Sequence, residues 1–401
     1  MLLVNASPVY LKCGMLLRKS QSLLDEIKSL ESKFEYINPK LNIMYKSRML
    51  IFLKINYFKI SHFQQSVDFQ FVNDKISIIK IFDFEDKTSL ELKLNNHKDS
   101  ISILNSPRNK SSKIPICYYC GHLTGKRELL IYELFGKKCI KVGHYNQLAI
   151  YGINYITEYI DNSFFDLPNE SVGSLIKVGE GLDKVKEKNV LSLKGKLYPY
   201  LMANGLEGVS IYRVDSINSF TRLGGNSFGA TTLWSLLTLT CGYEDPDEAL
   251  HDATEGDNHL IDLSVGDIYG GNYSQFSLQK DLIASSFGKL KYEKDINKVQ
   301  KKDIARSLVI LYSTSVSQVT SLLSVKSKVD KVILLGSPFE SLELMQMVQV
   351  CVGYFSQDKV KGLFSEYSQF LEIIGMCVQL DMENKLDLEY DDEYEDMIYG
   401  I

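Results

Sequence analysis

Over the first 17 or so residues, apolar and small positions alternate around Asn5-Ala6-Ser7-Pro8, which predicts a β-hairpin. Arg48–Lys59 (RMLIFLKINYFK) is strongly β-prone. Weaker strand-like runs lie within Val72–Leu94, at Ile76–Phe84 and Leu90–Leu94. Asn95–Lys113 breaks the pattern with Pro107 and repeated Ser and Asn, and reads as a loop or insertion. Ile114–Tyr119 is again a strand. Residues 161–196, with Pro168, several Gly and the charged run Asp183–Lys188, read as a loop with a short helix.

The densest punctuation runs from Arg222 to Gly271. A small-residue loop, Gly224-Gly225-Asn226-Ser227-Phe228-Gly229-Ala230-Thr231-Thr232, leads into the apolar run Leu233–Leu239. Glycines allow close backbone approach, and the first turn of the following helix offers unpaired N–H groups at a positive dipole end. Such a loop is either a phosphate cradle or a Gly-rich turn that starts a buried helix. Cys241-Gly242 stops this helix. A second begins with Asp245 as N-cap, Pro246 at the first helical position and Glu248 at the third, and Gly256 ends it. Asp267-Ile268-Tyr269-Gly270-Gly271 reads as a sharp turn. Further on, Asp303–Leu323 has apolar residues at helical spacing, and Val332–Leu335 reads as a buried strand ending at Gly336-Ser337.

Composition narrows the class. At 401 residues the chain is long enough for two domains with their own cores. Its 45% hydrophobic and 24% charged residues are those of a soluble globular protein, and the longest apolar runs in the sequence fall short of a membrane span. The start lacks a leading basic segment and reads as two short strands, not a signal peptide. Seven cysteines are scattered, with one close pair at Cys117 and Cys120. His122 and His144 do not complete a zinc-type spacing, so reduced thiols in the cytoplasm are expected. Net charge is −5, yet residues 381–401 hold nine acids against Lys385, leaving the body near +3. That acidic tail reads as a solvated, disordered end. No basic stripe points to nucleic acid.

The wording of this central stretch resembles the eukaryotic-type (type II) pantothenate kinases, members of the actin-like sugar-kinase superfamily. That family's phosphate loop reads close to GTSLGGGT, against GNSFGATT here. Its TG…EEAL…AA.GD and DIYGGDY..FGL segments correspond to Cys241–Asp257 and Asp267–Leu278. The likeness covers about residues 1–60 and 114–380 and is densest between Ser210 and Gly288. It implies an α/β fold of two RNase H-like (actin-like ATPase) lobes with a nucleotide cleft between them. The first lobe is expected over 1–160 with an insertion at about 60–113, then a variable connection at 161–196. The second lobe follows over 197–380, carrying the phosphate loop and the dimer helices, before the tail at 381–401.

The resemblance also implies site residues. ATP and phosphate contacts fall on Lys12, Gly121, Gly225, Asn226, Ser227, Gly229, Gly336 and Gly375, with Mg²⁺ as the accompanying ion and no protein metal ligand assigned. Lys12 reads equally well as a surface lysine in a strand. Substrate contacts fall on Ser210, Glu207 and Arg222, in and after a turn, Asn204–Ser210, that parallels the family's Asn-x-Gly-Ser-Gly-Val-Ser. A guanidinium grips a carboxylate bidentately, which suits Arg222 to pantothenate. The helix expected over Val142–Ile156 puts Tyr145 at the family's general-base glutamate. The closing helix is expected over Phe370–Leu380.

Several of these positions depart from the family. Asn5, Ser7 and Pro8 replace the Asp and two Gly of the first phosphate turn, and Pro removes a donor there. Gly121 is the one glycine kept of three, with His122 beside it. Ala230 replaces a phosphate-loop glycine. Glu207 replaces a substrate-contacting serine, Thr314-Ser315 an Asn-Asn pair, and Glu372 a glycine at the adenine wall. A neutral tyrosine, with an ordinary pKa of about 10, is a poor base near pH 7. Two functions are therefore expected from the resemblance. One is ATP-dependent phosphorylation of pantothenate, the first step of coenzyme A biosynthesis, through a divergent site in a homodimer. The other is a catalytically impaired subunit in a heterodimer with another pantothenate-kinase-like chain.

Overall fold

The structure, a computed structural model, describes backbone alone at residues 2–6, 10–18, 43–45, 48–56, 65–72, 75–83, 88–93, 117 and 139. It describes backbone and side chains at 118–120, 140–168, 187–292 and 298–383. The chain is mixed α/β and divides into two compact units, Met1–Tyr155 with Phe370–Ile401, and Ile156–Gln369.

The first unit opens with the expected hairpin, β1 (Leu2–Ala6) and β2 (Tyr10–Arg18), with Asn5 opposite Lys12. β3 (Ile43–Tyr45) and β4 (Arg48–Asn56) extend the sheet on the far side of β2. Then β5 (Gln65–Val72), β6 (Lys75–Asp83) and β7 (Thr88–Lys93) form a separate three-stranded antiparallel sheet inside the expected insertion. β5 had no clear signal in the sequence. β8 (Cys117–Cys120) and β9 (Cys139–Lys141) complete the main sheet, in the order β3-β4-β2-β1-β8-β9. Helix α1 (Tyr145–Tyr159) follows the last of these strands.

In the second unit, β10 (Phe164–Asp166) pairs with β11 (Asn189–Leu191), so strands stand within the connection that was expected to be a loop with a short helix. Next come β12 (Tyr200–Gly205), β13 (Val209–Ser216) and β14 (Ser219–Asn226). Helices α2 (Ala230–Cys241) and α3 (Pro246–Glu255) come after them. Gly242 ends α2 in the left-handed region, at φ 75°. Asp245 caps α3 by accepting from the Asp247 N–H at 2.9 Å. Short β15 (Leu263–Ser264) leads into α4 (Val265–Tyr269), a single turn of helix where a plain turn was expected, and β16 (Ile283–Ser285) pairs with β15.

The core element of this unit is α5 (Lys301–Ser327), 27 residues long. It is the one helix among the described residues long and apolar enough to cross a membrane, and 56% of that apolar stretch is buried within the protein. Buried Ser317 and Ser321 on α5 each donate to carbonyls of α6 (Leu342–Ser356), Val348 and Val352, at 3.3 Å. These small side chains let two helices pack closely, with both hydroxyls satisfied by the facing backbone. β17 (Lys331–Leu335) and β18 (Lys361–Leu363) finish the sheet, in the order β14-β13-β12-β17-β18.

Both units thus repeat one topology. In each, three antiparallel strands are followed by two that join the first in parallel: β1-β2-β4 with β8 and β9, and β12-β13-β14 with β17 and β18. That order is the RNase H-like one. The closing helix α7 (Leu371–Met382) packs on β1 and β8 of the first unit, so the second unit ends before it and not at residue 380. Crossing back is favoured because α7 buries Leu371, Ile373, Ile374, Met376 and Cys377 in that unit, at about 1.5–3 kcal/mol for each fully buried large apolar side chain. The acidic tail from residue 384 lies outside the described residues.

Candidate functional site

In the second unit, the carboxyl ends of the parallel strands β12 and β17 are where an α/β sheet binds ligands. Three pieces of chain meet there. The β12–β13 turn, Leu206-Glu207-Gly208, packs against the start of α2. A Cβ on Gly229 would stand 2.3 Å from the Glu207 carbonyl oxygen and 2.4 Å from Gly208 Cα, so only glycine permits this approach. Gly336, just after β17, has φ 118° and lies against Gly205.

The glycine stretch is less of a loop than its composition suggests. Gly224, Gly225 and Asn226 are strand residues of β14, paired with Ile211, Ser210 and Val209. Helix α2 begins at Ala230. Only Ser227, Phe228 and Gly229 form the connection. Its shape is set by Asn226, whose Oδ1 accepts from the Phe228 N–H at 2.9 Å while its Nδ2 donates to Ser315 Oγ on α5. No side chain caps α2, its first residue Ala230 is buried, and the Thr231 N–H donates to the Leu206 carbonyl at 3.3 Å.

Register decides the rest. The pairing steps from Ile211–Gly224 to Tyr212–Arg222, leaving Leu223 as a bulge. A bulge shifts the side chains beyond it to the other face of the sheet. Arg222 thereby shares a face with position 225, and directly opposed residues in an antiparallel pair share a face, so Ser210 joins them. The Arg222 Nη2 would lie 2.9 Å from a Cβ on Gly225. Exposed Arg222 has no ion-pair partner among the described residues. A guanidinium, a hydroxyl and a bare glycine on one face form a surface that suits a carboxylate.

The second unit therefore sets Ser210, Arg222 and Gly225 on one sheet face and Asn226 on the other against α5, with Ser227 between them and α2, Gly229 against the Glu207 turn and Gly336 against Gly205. Buried Tyr312, edge-on to Phe228 at 5.9 Å, was not expected there. Burial pushes its phenol pKa well up, so it stays protonated. Its signal in the sequence, a single aromatic on an apolar helix, is indistinguishable from core.

The remaining candidates belong to the first unit. Tyr145 is the first residue of α1 and is buried, with exposed His144 before it. Gly375 on α7 faces the Leu148 backbone. Lys12 lies on β2 with its side chain outside the described residues, and Gly121, Asn5's neighbours Ser7 and Pro8, and His122 also lie outside them. Glu372 is buried and, together with burial, raises the pKa of the Cys120 thiol. Among the described residues no group of three or more His, Cys, Asp or Glu could hold a metal, and Cys120, Cys241, Cys351 and Cys377 are free thiols.

The profile of the Fumble family matches residues 42–379. The chain belongs to the Fumble family. It is 34% identical over 196 residues to Pantothenate kinase 1 of Arabidopsis thaliana, covering 48% of this chain and 51% of that one. It is 35% identical over 182 residues to the pantothenate kinase of Schizosaccharomyces pombe, covering 44% and 45%. The match thus spans about half the length of these curated relatives. Among solved structures, the activator of 2-hydroxyisocaproyl-CoA dehydratase from Clostridium difficile, with bound ADPNP, aligns at TM-score 0.36 and 10% identity. That alignment covers 82% of this chain and 98% of the activator.

Proposed function

We propose that this Fumble-family chain takes part in the ATP-dependent phosphorylation of pantothenate to 4'-phosphopantothenate, the entry step of coenzyme A biosynthesis, in the cytoplasm. One observation carries the reading: Ser210, Gly225 and Arg222 share one sheet face a few residues before the uncapped start of α2. Arg222 and Ser210 take the substrate carboxylate. The amino end of α2, with Gly229 and Ser227, takes phosphate oxygens, its first turn carrying no side-chain cap. ATP supplies the phosphoryl group when bound, with Mg²⁺ carried on its phosphates. In the reaction the substrate hydroxyl oxygen bonds to the γ-phosphorus, the bond to the bridging oxygen breaks, ADP leaves, and the hydroxyl proton passes to a base or to water. Such transfer depends mostly on positioning and charge stabilisation.

A second reading is favoured by Tyr145. It stands buried at the first position of α1, where the family likeness expects a carboxylate base. On this reading the chain is a non-catalytic partner that contributes Arg222 and Ser210 to a dimer with an active pantothenate-kinase-like chain.

The test is formation of 4'-phosphopantothenate from pantothenate and ATP by the purified chain, alone and co-expressed with a paralogue that has an intact glutamate. Turnover alone at about 1 per second or more supports the enzyme reading and defeats the partner reading. Turnover only in the co-expressed pair supports the partner reading. No turnover in either, or turnover in the pair that is unchanged when Arg222 is replaced, rejects the proposal.

A further inference from the structure

We propose that Ser315 is a positioning residue: from α5 it sets the orientation of the Ser227–Gly229 connection and hence of the phosphate-accepting start of α2. The inference rests on the proposed function for the identity of the ligand, phosphate oxygens of a nucleoside triphosphate. The clamp itself stands on geometry alone.

Asn226, expected among the phosphate contacts, already bonds within the protein at both ends of its amide. Oδ1 accepts from the Phe228 N–H at 2.9 Å, closing an Asx turn, and Nδ2 donates to Ser315 Oγ. An amide bonded at both ends has its orientation fixed by the protein, with one N–H and one lone pair left over. Ser315 lies three residues beyond Tyr312 on α5, and residues three apart share a helix face. From that one face Tyr312 supports the Phe228 ring edge-on at 5.9 Å while Ser315 takes the Asn226 amide. The connection is thus held at two successive points, on both sides of Ser227, by a stretch of helix with no exposed residue from Lys302 to Ser317. The Ser227 carbonyl is fixed in turn, accepting from Thr232 Oγ1 at 3.2 Å.

Without an acceptor at 315 the Asn226 amide can rotate, the Phe228 N–H loses its partner, and the helix start loses its aim. One such hydrogen bond is worth about a fivefold to tenfold change in an equilibrium. The experiment compares the full chain with Ser315→Ala and Ser315→Thr by two readouts. Amide exchange over residues 228–233 in the unliganded protein reports the clamp. Titration with the non-hydrolysable analogue AMP-PNP, with KM for ATP and for pantothenate where turnover is present, reports its use. Ser315→Ala is expected to speed exchange at Phe228 about tenfold. It is also expected to weaken AMP-PNP binding, and raise KM for ATP, about fivefold to tenfold. KM for pantothenate should stay within about twofold, and Ser315→Thr should restore both readouts.

Unchanged exchange at Phe228 in Ser315→Ala, or failure of Ser315→Thr to restore it, overturns the clamp. Faster exchange with unaltered AMP-PNP affinity overturns its role in phosphate binding. A wild-type chain that binds no AMP-PNP overturns that role too, and counts against the enzyme reading, while the exchange data still decide the clamp.

Discussion

Gly375 on α7 lies so close to Leu148 on α1 that a Cβ at 375 would stand 1.9 Å from the Leu148 carbonyl oxygen. The same crossing places Gly152 of α1 against the Leu371 carbonyl, where a Cβ would stand 2.1 Å away. Two glycines, one from each helix, let the backbones touch. Their neighbours at these distances are backbone atoms, so a methyl group forces the helices apart instead of turning a side chain aside. Gly375→Ala and Gly152→Ala are each expected to destabilise the first unit by about 1–3 kcal/mol. Urea unfolding monitored by circular dichroism checks this; an unchanged midpoint for both would show that the helices are not in this contact.

On the sheet face of the second unit, Arg222→Met removes a charge-assisted contact of about 1.5–3 kcal/mol with a carboxylate. KM for pantothenate, or its Kd in a non-catalytic chain, should rise roughly tenfold to a hundredfold. Gly225→Ala should weaken the same binding while leaving Arg222 in place, because the new methyl meets both the guanidinium and, at 2.3 Å, the Val209 carbonyl oxygen. Isothermal titration with pantothenate measures both variants. Unaltered affinity in Arg222→Met removes this face from the substrate site.

Tyr145→Glu restores a carboxylate at the start of α1. A positioned general base contributes about 10² to 10⁴ in rate. The variant should therefore gain at least about tenfold in turnover over the parent chain, measured with labelled pantothenate. No gain would support the partner reading of this chain.

Tyr243 and Asp252 give the second unit a defined acid sensitivity. The Tyr243 hydroxyl donates to Asp252 Oδ2 at 2.6 Å and holds that carboxylate below its usual range, aided by Lys301 at 3.5 Å. A carboxylate with a depressed folded-state pKa stabilises the fold above its unfolded value, about 3.9, and that contribution is lost as pH falls through the folded value. Tyr243→Phe keeps the buried ring and removes the hydroxyl. Its stability deficit against the parent should be full at pH 7 and shrink below about pH 4. A deficit equal at pH 7 and pH 3 in urea titrations would assign the effect to packing.

Arg306, fully buried on α5, carries a guanidinium whose burial lowers its pKa against the opposing pull of Asp257 and Asp262. None of its three guanidinium nitrogens has a hydrogen-bond partner among the described residues, while buried Asp262 accepts from Asn258 Nδ2 at 2.6 Å and from the Phe287 N–H at 2.9 Å. Arg306→Met, which keeps an apolar stem and removes an unpaired buried charge, is therefore expected to leave stability within about 1 kcal/mol of the parent or to raise it. Thermal or urea unfolding reads the change, and a loss above about 3 kcal/mol would mean that Arg306 is the counter-charge of these carboxylates.

Local sequence was enough wherever the physics is local. Alternation around Asn5 marked the opening hairpin, Asp245-Pro246 marked the start of α3, and Gly242 marked the end of α2, since each acts on its own backbone. The connection at 161–196 was misread because β10 and β11 are three-residue strands, too short to show a period, and Phe165 also bridges to Phe364 far along the chain. The end of the second unit was misplaced for a related reason. An apolar helix such as α7 carries no mark of which sheet it will cover.

The candidate site divides in the same way. The sequence alone determined membership wording, the glycines that allow close approach, and the residue types fit for phosphate and carboxylate, because chemistry travels with the side chain. Only the tertiary structure decided that Gly224–Asn226 is a strand, and that the bulge at Leu223 turns Arg222 onto the face of Ser210. It also decided that Asn226 is bound to Ser315, 89 positions away along the chain. Those outcomes depend on strand register and on which helix face meets a loop, and both are set by packing between segments far apart in the chain, which no local pattern encodes.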